Sequence, residues 1–291
     1  MTAPSTTTSA TSPVSWITLD LDQSANAKAG ILILDRPEVA NAFSGAMLDA
    51  ITEKIHKATR DPSLRFLMIA GRGKHFCAGA DLAWMQESAK LSHQENLADA
   101  ARLTSMFEAV ANFPKPTLAL VRGAAYGGAV GLVACCDIVI ATDNSRFCLS
   151  EAKLGLIPAV IMPYLSRRFA PGALRRAALT SRILDANEAC TVGLVDVVVE
   201  GADLDEAIRA EISHIVQAGP LAQSAAKNLL DQVREQSGRQ GDYTAQAIAS
   251  ARTGSEGQAG LKAFFAKTPS PWTITISEDF KVSPHLERIE S

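Results

Sequence analysis

The sequence predicts an α/β protein: a core of stacked βαβ units followed by a helical C-terminal part. Three observations carry that expectation. Short apolar runs of strand length alternate with helical patterns across residues 16–148, the signature of parallel strands joined by right-handed crossovers. From Pro163 the pattern turns helical, with stripes such as Leu204, Ala207, Ile208, Ile212 and Ile215. A chain of 291 residues that is 47% apolar and 20% charged has the composition of a folded protein with a substantial core.

Residues 1–13 are rich in Ser, Thr and Ala and read as a disordered tail. They lack the basic start and apolar stretch of a signal peptide and the Arg of a transit peptide, so cytoplasm is the expected location. Residues 16–21 and 30–34 read as a strand hairpin around a long polar, insertion-like loop at 22–29. Pro37 ends the second strand. Ser44 caps a helix whose apolar face is Leu48, Ile51, Ile55 and Ala58. Residues 65–70 form a buried strand and 71–82 a Gly-containing loop. A long helix spans 92–112 and stops at Pro114 and Pro116. Strands follow at 116–121, 137–141 and 146–148, the first two separated by a glycine stretch and a short apolar helix. Leu221, Ala225, Leu229 and Val233 mark a further helix, residues 257–265 a turn or two, and beyond Pro269 the chain is polar and irregular. The resulting organisation is a core at 14–200, a helical region at 201–272 and a tail at 273–291.

Residues 122–137 stand out. Gly123, Gly127 and Gly128 let backbone approach a ligand closely, and the helix that starts near Gly128 presents unpaired N–H groups and the positive end of its dipole. That arrangement suits a negative oxygen. A second loop, His75 to Leu82, also follows a strand. Two convergent N–H donors are what a thioester enolate requires, and each is worth about 2.7–4 kcal/mol in such a site. Taken singly, either loop reads as a structural turn.

Taken together they resemble a family. Phe76-Cys77-Ala78-Gly79-Ala80-Asp81-Leu82, Gly123-x-Ala125-x-Gly127-Gly128, and Glu151 ahead of Leu154-Gly155-Leu156-Ile157-Pro158 are similar to the crotonase (enoyl-CoA hydratase/isomerase) superfamily. So are Asp35-Arg36-Pro37-x-x-x-Asn41-Ala42 and Gly260-Leu261-Lys262-Ala263-Phe264-Phe265, and the likeness covers residues 17–272. The resemblance implies a crotonase (ClpP-like) spiral of ββα units with a helical C-terminal trimerisation region, assembled as a homotrimer or dimer of trimers. It implies an oxyanion hole at the N–H groups of Ala80 and Gly128. A CoA site would run along Phe76, Ala78, Asp81 and Leu82, with Phe264 and Lys267 supplied by a neighbouring subunit. Coenzyme A would be part of the substrate, with no separate cofactor and no metal.

Hydratases that this chain resembles use two glutamates. Glu151 matches the second, whereas the first aligns with Gly131. One carboxylate can still take a proton from water and return it to C2, and Leu149, Leu154, Leu156 and Ile157 favour an apolar cleft that raises its pKa. The segments around Ala80, Gly131 and Glu151 further resemble bacterial methylglutaconyl-CoA hydratases and the isohexenylglutaconyl-CoA hydratases of acyclic terpene breakdown. Those act on branched 2-enoyl thioesters bearing a second carboxylate. Arg167 and Arg168 are candidate cations for that group, although adjacent arginines are commonly surface charge. Trp84 could wall the acyl pocket or be plain core, and Asp81 suits a brace or cap.

Two rivals stand beside the hydratase: an isomerase moving a proton between C4 and C2 with one Glu, and a thioester- or RNA-binding scaffold of weak activity. A net charge of −3 gives no pull towards nucleic acid or anionic membrane, and no stretch is apolar enough to span a bilayer. The five cysteines lack metal-site spacing, and Cys135 and Cys136 read as buried small hydrophobes. P-loop, GxGxxG and Gly-x-Ser-x-Gly patterns are absent.

Overall fold

Nine strands form two sheets in the computed structural model of the chain, which describes residues 12–22, 27–235 and 241–287. The larger sheet runs β1 (Val14–Asp22), β2 (Ala27–Leu34), β3 (Leu64–Gly71), β4 (Thr117–Val121), β6 (Ile138–Thr142) and β9 (Val197–Val199), side by side in that order. Only β1 is antiparallel to its neighbour. The smaller sheet holds β5 (Ala124–Tyr126), β7 (Arg146–Cys148) and β8 (Leu184–Asp185). The chain passes from β4 in the large sheet to β5 in the small one, through helix α4 (Gly128–Cys135), then back to β6 and on to β7. This is the expected spiral of strand, short strand and helix.

Alternation along the parallel strands divides the core into two layers. Leu32, Leu34, Leu67, Ile69, Ala119 and Val121 face α1 (Gly45–Thr59), α3 (His93–Ala111) and α4. Ile31, Ile33, Phe66, Met68, Leu118 and Leu120 face α8 (Leu204–Gln217) on the other side. The caps account for where the helices begin. Ser44 Oγ accepts from the Met47 N–H, and Ser92 and Glu95 form a reciprocal capping box at the head of α3. Helix α4 has no polar face; Ala129 through Cys135 are all buried, as a helix enclosed between layers must be.

The remaining helices are α2 (Leu82–Ser88), α5 (Met162–Arg168), α6 (Pro171–Thr180), α7 (Ala186–Thr191), α9 (Pro220–Glu235), α10 (Gly241–Thr253) and α11 (Ser255–Ala266). Several differ from the expectation. Strands β1 and β2 run longer than their apolar runs and take in both ends of the loop expected at 22–29; its residues 23–26 lie outside the described residues. Helices α2 and α10 and strand β9 had no clear pattern, and the turn at 257–265 is a twelve-residue helix. Of the N-terminal tail, only Ser12 and Pro13 are described, and the Pro13 carbonyl accepts from the Asp35 N–H. Residues 273–287 lack long elements, yet Ile274, Phe280, Val282 and Leu286 are buried in the same layer as α8.

Ile208 is fully buried in that layer. Ile208→Ala is expected to lower unfolding free energy by about 2–5 kcal/mol with a native circular-dichroism spectrum, measured by urea titration.

Candidate active site

The loop after β3 is held before it is functional. Asn41, with φ +55°, donates from Nδ2 to the carbonyls of Arg72 (2.9 Å) and His75 (2.8 Å), and its Oδ1 accepts from the Arg36 N–H. Arg36 donates to the Ala42 carbonyl and to Asp81 Oδ2, each at 2.8 Å. Asp81 then caps α2 by accepting from the Ala83 N–H at 2.9 Å. The Asp35-to-Ala42 motif is therefore a brace for the loop that carries Ala80.

Backbone pairing fixes both flanks of that loop. On one side the Phe43 N–H donates to the Gly79 carbonyl (2.7 Å) and the Asp81 N–H to the Phe43 carbonyl (2.9 Å). On the other, the Cys77 N–H donates to the Ala124 carbonyl (3.0 Å) and the Tyr126 N–H to the Cys77 carbonyl (3.1 Å). The two glycine-containing loops are thus stitched together through β5. Gly79 has φ +99°, and a Cβ on it would stand 3.0 Å from the Tyr126 carbonyl oxygen. Among the described residues the N–H groups of Ala80 and Gly128 make no hydrogen bond. The Phe43 ring lies 3.4 Å from where a Gly128 Cβ would be, so one residue touches both halves.

Glu151 opens a short 3-10 helix (Glu151–Leu154) just after β7. Its Oε1 lies 3.3 Å from where a Cβ on Gly127 would be, and Gly127 has φ +54°, so the turn needs glycine for both conformation and space. Its Oε2 is buried without a hydrogen-bond partner among the described residues. Burial pushes the carboxyl pKa up, offset in part by its own backbone N–H. Leu154, Leu156 and Ile157 beside it are exposed, an open apolar flank.

Gly131 is filled from outside. A Cβ there would lie 2.1 Å from Ile161 Cγ2 and 3.3 Å from the Phe107 ring. No side chain fits, so the position aligned with a first glutamate is closed by Ile161. His75 Nδ1 accepts the Ala124 N–H at 3.1 Å, a tie to the start of β5; burial and the nearby Lys74 lower its pKa.

The expected CoA residues divide. Leu82 is exposed and Ala78 lies at the surface, whereas Phe76 is fully buried and can offer a ligand only its surroundings. Asp81 is committed to Arg36. Phe264 is exposed and Lys267 ends α11; no hydrogen bond or ion pair joins either to Ala80, Gly128 or Glu151 among the described residues. Arg167 and Arg168, the candidate cations for a distal carboxylate, already have partners. Arg167 pairs with Asp231 at 3.0 Å and lies over the Tyr164 ring. Arg168 donates to the carbonyls of Cys136 and Asp137 and to Asp196. Both line a separate cavity of about 340 Å³ that Glu151 does not reach. Trp84 is partly buried against the core. Cys190, unlike the other four cysteines, is exposed.

Because its folded-state pKa is raised, Glu151 binds its proton more tightly in the folded chain, and its contribution to stability falls as pH rises through that range. Glu151→Gln is expected to cut kcat by about 10²–10⁴-fold while raising the thermal midpoint at pH 7. Steady-state kinetics and calorimetry check the pair; an unchanged kcat contradicts the assignment. Gly131→Ala is expected to destabilise by about 1–3 kcal/mol through overpacking, measured by denaturant titration.

Comparison with known proteins gives the family. A sequence profile described as "Enoyl-CoA hydratase/isomerase" matches residues 25–274. A crotonyl-CoA hydratase of Syntrophomonas wolfei is 33% identical over 202 residues, 69% of this chain and 76% of that protein. The enoyl-CoA hydratase ACTT6 of Alternaria alternata is 32% identical over 236 residues, covering 80% and 77%. Among solved structures, an enoyl-CoA hydratase from Shewanella pealeana superposes with a TM-score of 0.83 at 37% identity, covering 89% of this chain and 96% of that one. Pseudomonas aeruginosa AtuE superposes at 0.81 with 30% identity, covering 89% and 99%.

Proposed function

The chain belongs to the enoyl-CoA hydratase/isomerase family, and from that premise we propose that it hydrates the 2,3 double bond of a branched, glutaconyl-type acyl-CoA with a single carboxylate. The observation that carries this reading is the Glu151 carboxylate, desolvated and half unpaired, set against the turn that leads into the Gly128 N–H.

The thioester oxygen sits between the N–H groups of Ala80 and Gly128. Glu151 as carboxylate takes a proton from water as the water oxygen bonds to C3. The electron pair of the double bond moves towards the thioester, and negative charge gathers on its oxygen, where the two N–H donors stabilise it. Glu151, now protonated, returns that proton to C2, the carbonyl reforms, and the carboxylate is restored. Water has been added across the bond. Closure of the Gly131 position by Ile161 leaves no room there for a second carboxylate, and in this reading one group does both transfers.

The acyl group is inferred from the residues that resemble methylglutaconyl- and isohexenylglutaconyl-CoA hydratases, with Gly131 as a shared trait. The apolar flank at Leu154, Leu156 and Ile157 suits a branched chain. Arg167 and Arg168 are engaged elsewhere, so neither is assigned to a distal carboxylate. A trimer-based assembly fits the exposed Leu221, Leu230, Ile248, Leu261, Phe264 and Phe265 on α9, α10 and α11, and would bring Phe264 and Lys267 of one copy to the CoA of another.

The test is a parallel assay of 3-methylglutaconyl-CoA, isohexenylglutaconyl-CoA and crotonyl-CoA, following loss of the enoyl-thioester absorbance and product mass. Gain of one water on a glutaconyl substrate, with crotonyl-CoA slow, is expected. Failure to hydrate any of them, with conversion of a 3-enoyl thioester to its 2-enoyl isomer, contradicts the hydratase and favours the isomerase, which one carboxylate also serves.

A further inference from the structure

The C-terminal segment reaches the roots of both loops that carry the spare N–H groups. Arg72 and Gly73 follow β3 and lead into the loop that holds Ala80. Arg122 lies between β4 and β5, on the way to Gly127 and Gly128. Residues 285–287 touch all three. The Gly73 N–H donates to the Leu286 carbonyl at 2.9 Å. Arg72 Nη1 donates to the carbonyls of His285 (2.9 Å) and Glu287 (3.0 Å), while its other nitrogens hold Asp35. Arg122 donates from Nη2 to the Leu286 carbonyl and from Nη1 to Glu287 Oε1, each at 2.9 Å.

The same segment is anchored at its other end. Asp205 on α8 accepts from the N–H groups of Val282 (2.8 Å) and Ser283 (3.0 Å) and from the Ser283 hydroxyl. Val282 and Leu286 are fully buried. Contacts to backbone carbonyls from two arginines, over buried apolar anchors, make a defined attachment where a loose tail would make none. The two roots also meet directly, the Phe76 N–H donating to the Arg122 carbonyl at 2.8 Å. Residues 275–287 lie beyond the 25–274 stretch that matches the family profile, so this attachment is an addition to what that profile describes.

We propose that residues 282–287 are a strap that fixes the separation of the Ala80 and Gly128 donors by tying the roots of their loops, with Arg72 and Arg122 as positioning residues. The strap rests on the reading of those two N–H groups as the oxyanion hole. The physical reason is the tolerance of such a hole. Donors must stand about 2.7–3.1 Å from the developing oxyanion, and a displacement near 1 Å can cost on the order of 10²-fold in rate. Loosening the roots therefore lowers turnover without removing any group that binds the thioester.

Two full-length variants test this: Leu286→Asp, which expels the strap from its apolar seat, and Asp205→Ala, which frees its far end from α8. Each is compared with the unaltered chain by kcat and KM for an enoyl-CoA it turns over, by thermal midpoint, and by the absorbance maximum of a bound conjugated dienoyl-CoA. Hydrogen bonds to the thioester carbonyl move that band to longer wavelength. The unaltered chain should show the shift; its absence removes the oxyanion hole and the strap with it. With the shift present, the strap is expected to show as a tenfold or larger fall in kcat, KM within about twofold, and a diminished band shift in both variants. If Leu286→Asp does not fold, Asp205→Ala decides alone. A folded variant with unchanged kcat and an unchanged band shift overturns the strap and leaves the oxyanion hole standing.

Discussion

Residues 76–81 are held between two backbone partners, β5 on one side and Phe43 on the other, and the rest of the site follows from that double attachment. Pairing to Phe43 uses the Gly79 carbonyl and the Asp81 N–H, which leaves the Ala80 N–H between them without a bond. Pairing to β5 sets that loop against the strand that turns at Gly127 into α4. Two donors from separate turns of the spiral are thereby brought near one another by ordinary strand hydrogen bonds. Their N–H groups belong to backbone held by these bonds, which is what the proposed oxyanion hole requires if little reorganisation is to accompany charge developing on an oxygen.

The carboxylate is placed by the same economy of space. Gly127 leaves room for Glu151 to lie against the turn, and the price is an unpaired oxygen in a desolvated pocket. A buried carboxyl oxygen without a partner is destabilising and holds its proton more readily than an ordinary glutamate, which is the usual tension between stability and activity. Ile161 closes the space over Gly131 that another carboxylate would need. Under the proposed mechanism, water is therefore activated from the Glu151 side. Asn41, Arg36 and Asp81 direct their hydrogen bonds to the loop itself.

Much of this was legible in the residues because glycines and caps leave local signatures. Gly127, Gly128, Ala80 and Glu151 sit in short motifs whose conformation is set nearby, and Ser44 and Asp81 cap helices as their residue types suggest. What depends on distant partners was not legible. Ile161 blocks Gly131 from thirty positions away, and Phe43 bridges the two loops through its ring. The partners of Arg167 and Arg168, Asp231 and Asp196, lie far along the chain. Strand β9 is three valines, too short for a period, and is made by pairing with β6. The tail beyond Pro269 has few apolar residues, and Phe280, Val282 and Leu286 find their seats only once α8 has packed on the sheet.

The central claim is that one carboxylate performs both proton transfers, and its pH dependence is the most direct probe. Turnover of an enoyl-pantetheine thioester, which lacks the ionising phosphates of CoA, would be followed from acid to alkaline pH. A single Glu151 acting first as base requires kcat/KM to rise with unit slope through one pKa above the ordinary glutamate value of about 4.3 and then stay level. A bell-shaped profile, with a second limb from a group that must be protonated, would show that another acid shares the work and would contradict the one-carboxylate site.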